Sequence, residues 1–219
     1  LALREPKRGR RRASYLESLA GVGRDVWDIA RKRLGFLALV LMTLPIGVGA
    51  AQNLWAAVAD DWHATADTVA LVTGVLSGII SMVGCILGGT ICDRLDRKTA
   101  YNLFGLLSVA CVVAMAFSPR SEAMYVVYTC AYAFVMGMSY AAFGAVVLEA
   151  IGAGAAATKY NLLAAIANMP ITYQAMIDGW AHDQWGAGGM LAAEAVAGVA
   201  AVLFFCLVVV VSRPFARKA

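Results

Sequence analysis

The residues best suited to chemistry in this chain are uncharged, and they cluster. Asn168, Thr172, Tyr173 and Gln174 stand in the run NMPITYQ, around Pro170 and inside a long apolar stretch. Together with Asn161 and Ala165, Asn168 and Thr172 recur at the spacing of one helical face, while Tyr173 and Gln174 point to other sides. A proline there removes one rung of the helical hydrogen-bond ladder. Side chains of this kind make and break hydrogen bonds to a polar ligand and form no covalent bond. A second, looser group is Thr43 beside Pro45, with Ser139 and Tyr140 beside Gly137. Glu149 and Asp178 are the acids that could carry a proton, but both sit near the ends of their apolar runs, as does Glu194. An acid inside a membrane reads as a proton relay; at these depths the same residues can equally be interface groups with water access. Asp178 and His182, one turn apart, offer a titrating pair against the plainer reading of loop solvation.

Other chemistries lack their parts. There is no Walker-type phosphate loop, no H-E-x-x-H and no G-x-S-x-G, which argues against ATP hydrolysis and against a membrane-anchored hydrolase. The five cysteines (Cys85, Cys92, Cys111, Cys130, Cys206) all lie in apolar runs, with neither C-x-x-C nor metal-type Cys/His spacing. Cys85 and Cys92 would be about 10 Å apart along one helix, too far for a disulfide. The expectation is a protein that is not an enzyme and holds no metal or cofactor.

The elements that must position these side chains follow from composition. Of 219 residues, 61% are hydrophobic and 15% charged, and the mean hydropathy is +0.72. A soluble domain of this size buries only about 70% of the surface its unfolded chain exposes, too little to hide so much apolar area. Six apolar runs, at 34–59, 68–92, 101–118, 124–149, 160–181 and 190–211, are each of a length to cross a ~30 Å hydrocarbon core. They are far longer than membrane strands and lack period-2 alternation. The fold class expected is an all-α membrane protein, six transmembrane helices in an antiparallel bundle. Run six is apolar all round from Ala195 to Val211, the LLSVACVVAMAF of run three is nearly so, and both should face lipid; the others carry the small and polar residues. Run two repeats Gly74, Gly78, Gly84 and Gly88, a stripe for close helix packing. Asn168, Thr172, Tyr173, Gln174, Tyr140, Ser139 and Thr43 then fall near mid-depth beside proline-weakened helices, the setting of a substrate cavity.

Charge sets the orientation. With six crossings, every Lys and Arg except Arg120 falls on one side, which places both termini in the cytoplasm and the protein in the plasma (inner) membrane. Residues 1–33 carry 10 of the 18 Lys and Arg and read as a basic cytoplasmic linker. Its KRGRRR run, Lys7–Arg12, suits anionic lipid, and SYLE (Ser14–Glu17) starts an amphipathic interfacial helix anchored by Trp27. Residues 213–219 form a cytoplasmic tail. A chain that opens at Leu1 inside a basic stretch reads as a piece of something longer.

The break between runs two and three, GGTICDRLDRK (Gly88–Lys98), resembles the signature loop of the major facilitator superfamily, G-x-x-x-D-R-x-G-R-R/K. Gly89, Asp93, Arg94, Arg97 and Lys98 match, and Asp96 stands where the family has Gly. The loop also falls where that family has it, between the second and third helices of a six-helix half. The resemblance implies the C-terminal half of a 12-helix transporter, with these loop residues as a conformational latch. The GAGAAATKYNLLAAIANMP stretch is similar to the muropeptide-permease and acetyl-CoA-transporter branch. The implied function is a secondary transporter or facilitator, a symporter or a uniporter of that family, moving a small polar solute by alternating access. Its partners would be the bilayer, the solute and the other six-helix half, in the same polypeptide or a second chain, and no nucleic acid. The alternative is a membrane scaffold or assembly factor with a transporter-like fold.

Overall fold

The computed structural model describes residues 15–151 and 156–212. The Lys7–Arg12 run, Ser14 and the tail 213–219 lie outside the described residues, as do the side chains of Tyr15, Leu16, Leu19 and Val22. Among the described residues every regular element is helical: α1 Tyr15–Ala30, α2 Arg33–Thr43, α3 Trp55–Val58, α4 Ala66–Ala70, α5 Ser77–Cys92, α6 Arg97–Ala116, α7 Glu122–Ile151 and α8 Ala156–Val211. Short 3-10 turns, Ala50–Leu54 and Ala59–Trp62, flank α3, and a π turn, Leu71–Leu76, joins α4 to α5. Four helical stretches are long and apolar enough to cross a membrane: Ala66–Cys92, Arg97–Ala116, Glu122–Ile151 and Lys159–Val211. That is the pattern of a multi-pass membrane protein.

The run 34–59 does not form one helix. Leu44 precedes Pro45 and is extended (φ −98°, ψ 146°), because the proline ring disfavours helical geometry in the residue before it. Gly47 (φ 57°) and Gly49 (φ 75°) then turn left-handed. At Gly49 the positive φ strains any side chain, and a Cβ would also displace the Met136 Cε tip, 2.7 Å away. Pro170, by contrast, does not break α8, whose backbone stays helical through it. The two places are at one level, since Tyr173 Oη donates to the Thr43 carbonyl at 2.8 Å. In an unbroken helix the amide of Gly47 would have taken that carbonyl.

The true interruption of α8 is Gly186 (φ 66°, ψ −163°). Asp178 and Glu194 are sixteen residues apart, about 24 Å along a straight helix, yet their carboxyl groups lie close together. The chain therefore folds back at Gly186 and α8 is a hairpin of two arms. Trp180 and Trp185 meet edge to face beside this turn, ring centroids 5.0 Å apart.

Packing is closest between α5 and α7. A Cβ on Gly88 would lie 2.5 Å from Met138 Cα, and Gly84 and Gly137 meet the facing backbones at Phe134 and Ser81. The other half of the glycine stripe is different: Gly74 and Gly78 face open space. Apolar side chains gather in two cores. One, with Leu37, Leu41, Phe104 and Leu163, lies toward the end holding the α5–α6 loop, called here the basic end. The other, with Trp55, Trp62, Tyr125 and Met190, lies toward the Gly186 turn, the aromatic end. There the Arg120 guanidinium sits 3.8 Å over the Trp62 ring, and Glu122 accepts from Thr65 N (3.2 Å) and Thr68 Oγ1 (2.5 Å). At the basic end Ile29 of α1 is buried while Trp27 is exposed with the Arg31 guanidinium over its ring.

Candidate functional site

Three groups of polar side chains emerge from this scaffold. The first surrounds a cavity of about 130 Å³ lined by Gly47, Tyr101, Ser139, Tyr140, Ala164 and Asn168, among others. At ~30 Å³ per water this holds about four waters or a very small solute. Ser139 is buried and its Oγ has no hydrogen-bond partner, so it is free to meet whatever enters. Tyr140 and Asn168 are exposed at the mouth. The exposed side chains Asn161, Asn168 and Thr172 continue this polar face along the first arm of α8. Asn168 is about 18 Å from the start of α8 and about 27 Å from Gly186 at 1.5 Å per residue, hence well inside the bundle's depth.

Of the side chains expected in one cavity, the structure brings Ser139, Tyr140 and Asn168 together there. Thr43 and Tyr173 meet each other through the Thr43 carbonyl, and the Thr43 hydroxyl turns back to Val40 O at 2.9 Å. Thr172 Oγ1 likewise bonds the Asn168 carbonyl, 3.2 Å. Gln174 is not in the cavity: it is 1% exposed and donates from Nε2 to Asp178 Oδ1 at 2.8 Å.

The second group is therefore built on Asp178. It is 0% exposed and lies within hydrogen-bond reach of Glu194, itself 7% exposed, across the α8 hairpin. Tyr132 of α7 donates to Glu194 Oε1 at 2.7 Å, and its ring meets Trp55 edge to face with centroids 5.3 Å apart. No ion pair among the described residues involves either acid; His182 turns to Asp183 instead. By sequence Glu194 reads only as an acid near the end of its run, and neither it nor Tyr132 is assigned to a site; run six is not uniformly lipid-facing. The missed signal is register: Asp178 and Glu194 each stand eight residues from Gly186, so a hairpin at that glycine sets them at equal depth.

The third group is the loop between α5 and α6. Lys98 Nζ lies 2.8 Å from Glu149 Oε1 near the end of α7, and Arg97 Nη1 lies 3.9 Å from Glu149 Oε2 and 3.5 Å from Ala145 O. Glu149 thus sits with the loop, far from Asp178. Gly89 borders open space, and Asp93 and Arg94 are exposed. Asp96 does not need the left-handed turn that a glycine there suggests: its backbone is extended (φ −56°, ψ 128°), and its carboxylate caps α6 by accepting from Thr99 N at 3.0 Å. Among the described residues no three His, Cys, Asp or Glu side chains are grouped to hold a metal ion. No protein-family model matches the chain, and neither a curated protein nor a solved structure does.

Proposed function

We propose that this chain is one six-crossing half of a major-facilitator-type secondary transporter, carrying a small polar solute by alternating access. Six crossings are obtained by adding the broken segment 33–62 to the four long helices and counting the α8 hairpin twice. The basic end would then face the cytoplasm, as the positive charges favour. The observation that carries the reading is the open polar face of Asn161, Asn168, Thr172 and Tyr140 beside a cavity at mid-depth. Hydrocarbon cannot satisfy these groups. They need water and a second polar wall, which the other half supplies, in the same polypeptide or in a second chain. The discontinuous segment at Pro45–Gly49 adds support, because irregular backbone at membrane depth is tolerated only where it is buried or lines a water-filled space.

The test needs no knowledge of the solute. In a background without the five natural cysteines, N168C should react with a membrane-impermeant thiosulfonate, while L203C, on an apolar face, should not. N168L should also abolish uptake by proteoliposomes offered a panel of sugars, amino acids and short peptides, with expression intact. Inert N168C would mean that the face is sealed by packing, as in a scaffold, and would remove the transport reading.

A further inference from the structure

We propose that Asp178 and Glu194 are a proton-binding pair that fastens the two arms of α8 at the aromatic end, so that gain and loss of a proton closes and opens that end. The coupling of this motion to a solute rests on the transport reading above; the binding of the proton does not.

The geometry leaves little else for these groups to do. Both acids are buried, and each accepts one hydrogen bond, Asp178 Oδ1 from Gln174 Nε2 and Glu194 Oε1 from Tyr132 Oη. Asp178 Oδ2, Glu194 Oε2 and Gln174 Oε1 remain buried without any donor. Gln174 is an independent pointer, since an amide oxygen is orphaned at the same spot and costs free energy unless something is supplied to it. Two carboxyls within reach of one another can bond only through a hydrogen that one of them carries. The groups facing the pair from neighbouring elements are Tyr132 on α7, Cys111 on α6 near Tyr132, and Trp55 on α3, whose buried Nε1 has no hydrogen-bond partner. None of these supplies a positive charge. Three donor-free oxygens are also fewer than the six or more that a hard cation gathers. One proton shared between Asp178 Oδ2 and Glu194 Oε2 therefore satisfies both acids, and it joins one arm of the hairpin to the other.

The step balances simply. When the proton leaves to water, one hydrogen bond breaks and two like charges face each other in a medium of low dielectric, which drives the arms apart. When a proton returns to either oxygen, the bond reforms. Tyr132 would carry that movement to α7, and its contact with Trp55 would carry it to the broken segment.

Infrared difference spectroscopy of the purified full chain in lipid nanodiscs tests this. Wild-type protein should show the carbonyl band of a protonated carboxyl at neutral pH, weakening as pH is raised. D178N and E194Q should each shift it, and D178N/E194Q should abolish it, with elution on size exclusion unchanged. If the double variant does not fold, the single-variant shifts decide. A wild-type sample without the band at neutral pH, or variants with an unaltered band there, would overturn the pair; so would a band removed by sodium at constant pH. A wild type that shows the band but transports nothing in any assay would remove the transport reading and leave the pair standing.

Discussion

Replacing Lys98 by Met should loosen the basic end much more than replacing Arg97, although both cations reach the same carboxylate. Lys98 Nζ is 2.8 Å from Glu149 Oε1, with the two side chains only 12% and 26% exposed; Arg97 is 3.9 Å away and 47% exposed. For the shorter pair the bare attraction is about 6 kcal/mol at an effective dielectric of 20, and about 1.5 kcal/mol in water. Desolvation takes back much of this in a half-buried setting, leaving about 1–3 kcal/mol. The longer, wetter pair falls in the range of exposed ion pairs, below about 0.5 kcal/mol, and salt screens it. The assay is a double-mutant cycle on equilibrium unfolding of the purified protein. K98M/E149Q should give a coupling energy of about 1–3 kcal/mol that survives high salt, while R97M/E149Q should give one near zero. Equal couplings, or a larger one for Arg97, would refute the assignment of Lys98 as the main tie between the α5–α6 loop and α7.

Two further outcomes separate packing from propensity. G88A should cost about 1–3 kcal/mol, because the new methyl would meet Met138 Cα, backbone that cannot swing aside. G78A should be neutral or stabilising by up to about 1 kcal/mol, since it meets open space and alanine is the better helix former; thermal unfolding of both variants decides, and similar losses would sink the close α5–α7 approach. Y173F removes the donor to the Thr43 carbonyl and should speed hydrogen exchange in residues 44–49 without changing exchange in α5. Unaltered exchange there would show that the hydroxyl does not hold the break.

Much of the scaffold was legible because it depends on properties local to a segment. Long apolar runs with short polar breaks specify helices in lipid, and the all-helical architecture agrees. At Pro45 the sequence showed only a helix liable to kink; with Gly47 and Gly49 two and four residues further on, the chain leaves the helix altogether. Pro170 misled, because a single missing hydrogen bond is tolerated when the flanking turns are held by packing, here with Pro170 itself buried. Asn168 could be placed beside Ser139 and Tyr140 only loosely, since shared depth on different helices says nothing about which faces meet.

The amino-acid order alone determined that the molecule is built of long apolar helices and where along them its uncharged polar groups fall, because each of these is read from nearby residues. Tertiary structure decided which polar atoms acquire partners. It turned Gln174 inward to Asp178, gave Glu149 to Lys98, and brought Glu194 across a hairpin to an acid sixteen residues away. Those outcomes depend on the rotation of one helix against another and on one left-handed glycine, Gly186, so hydrogen-bond partnership is a property of the assembled bundle.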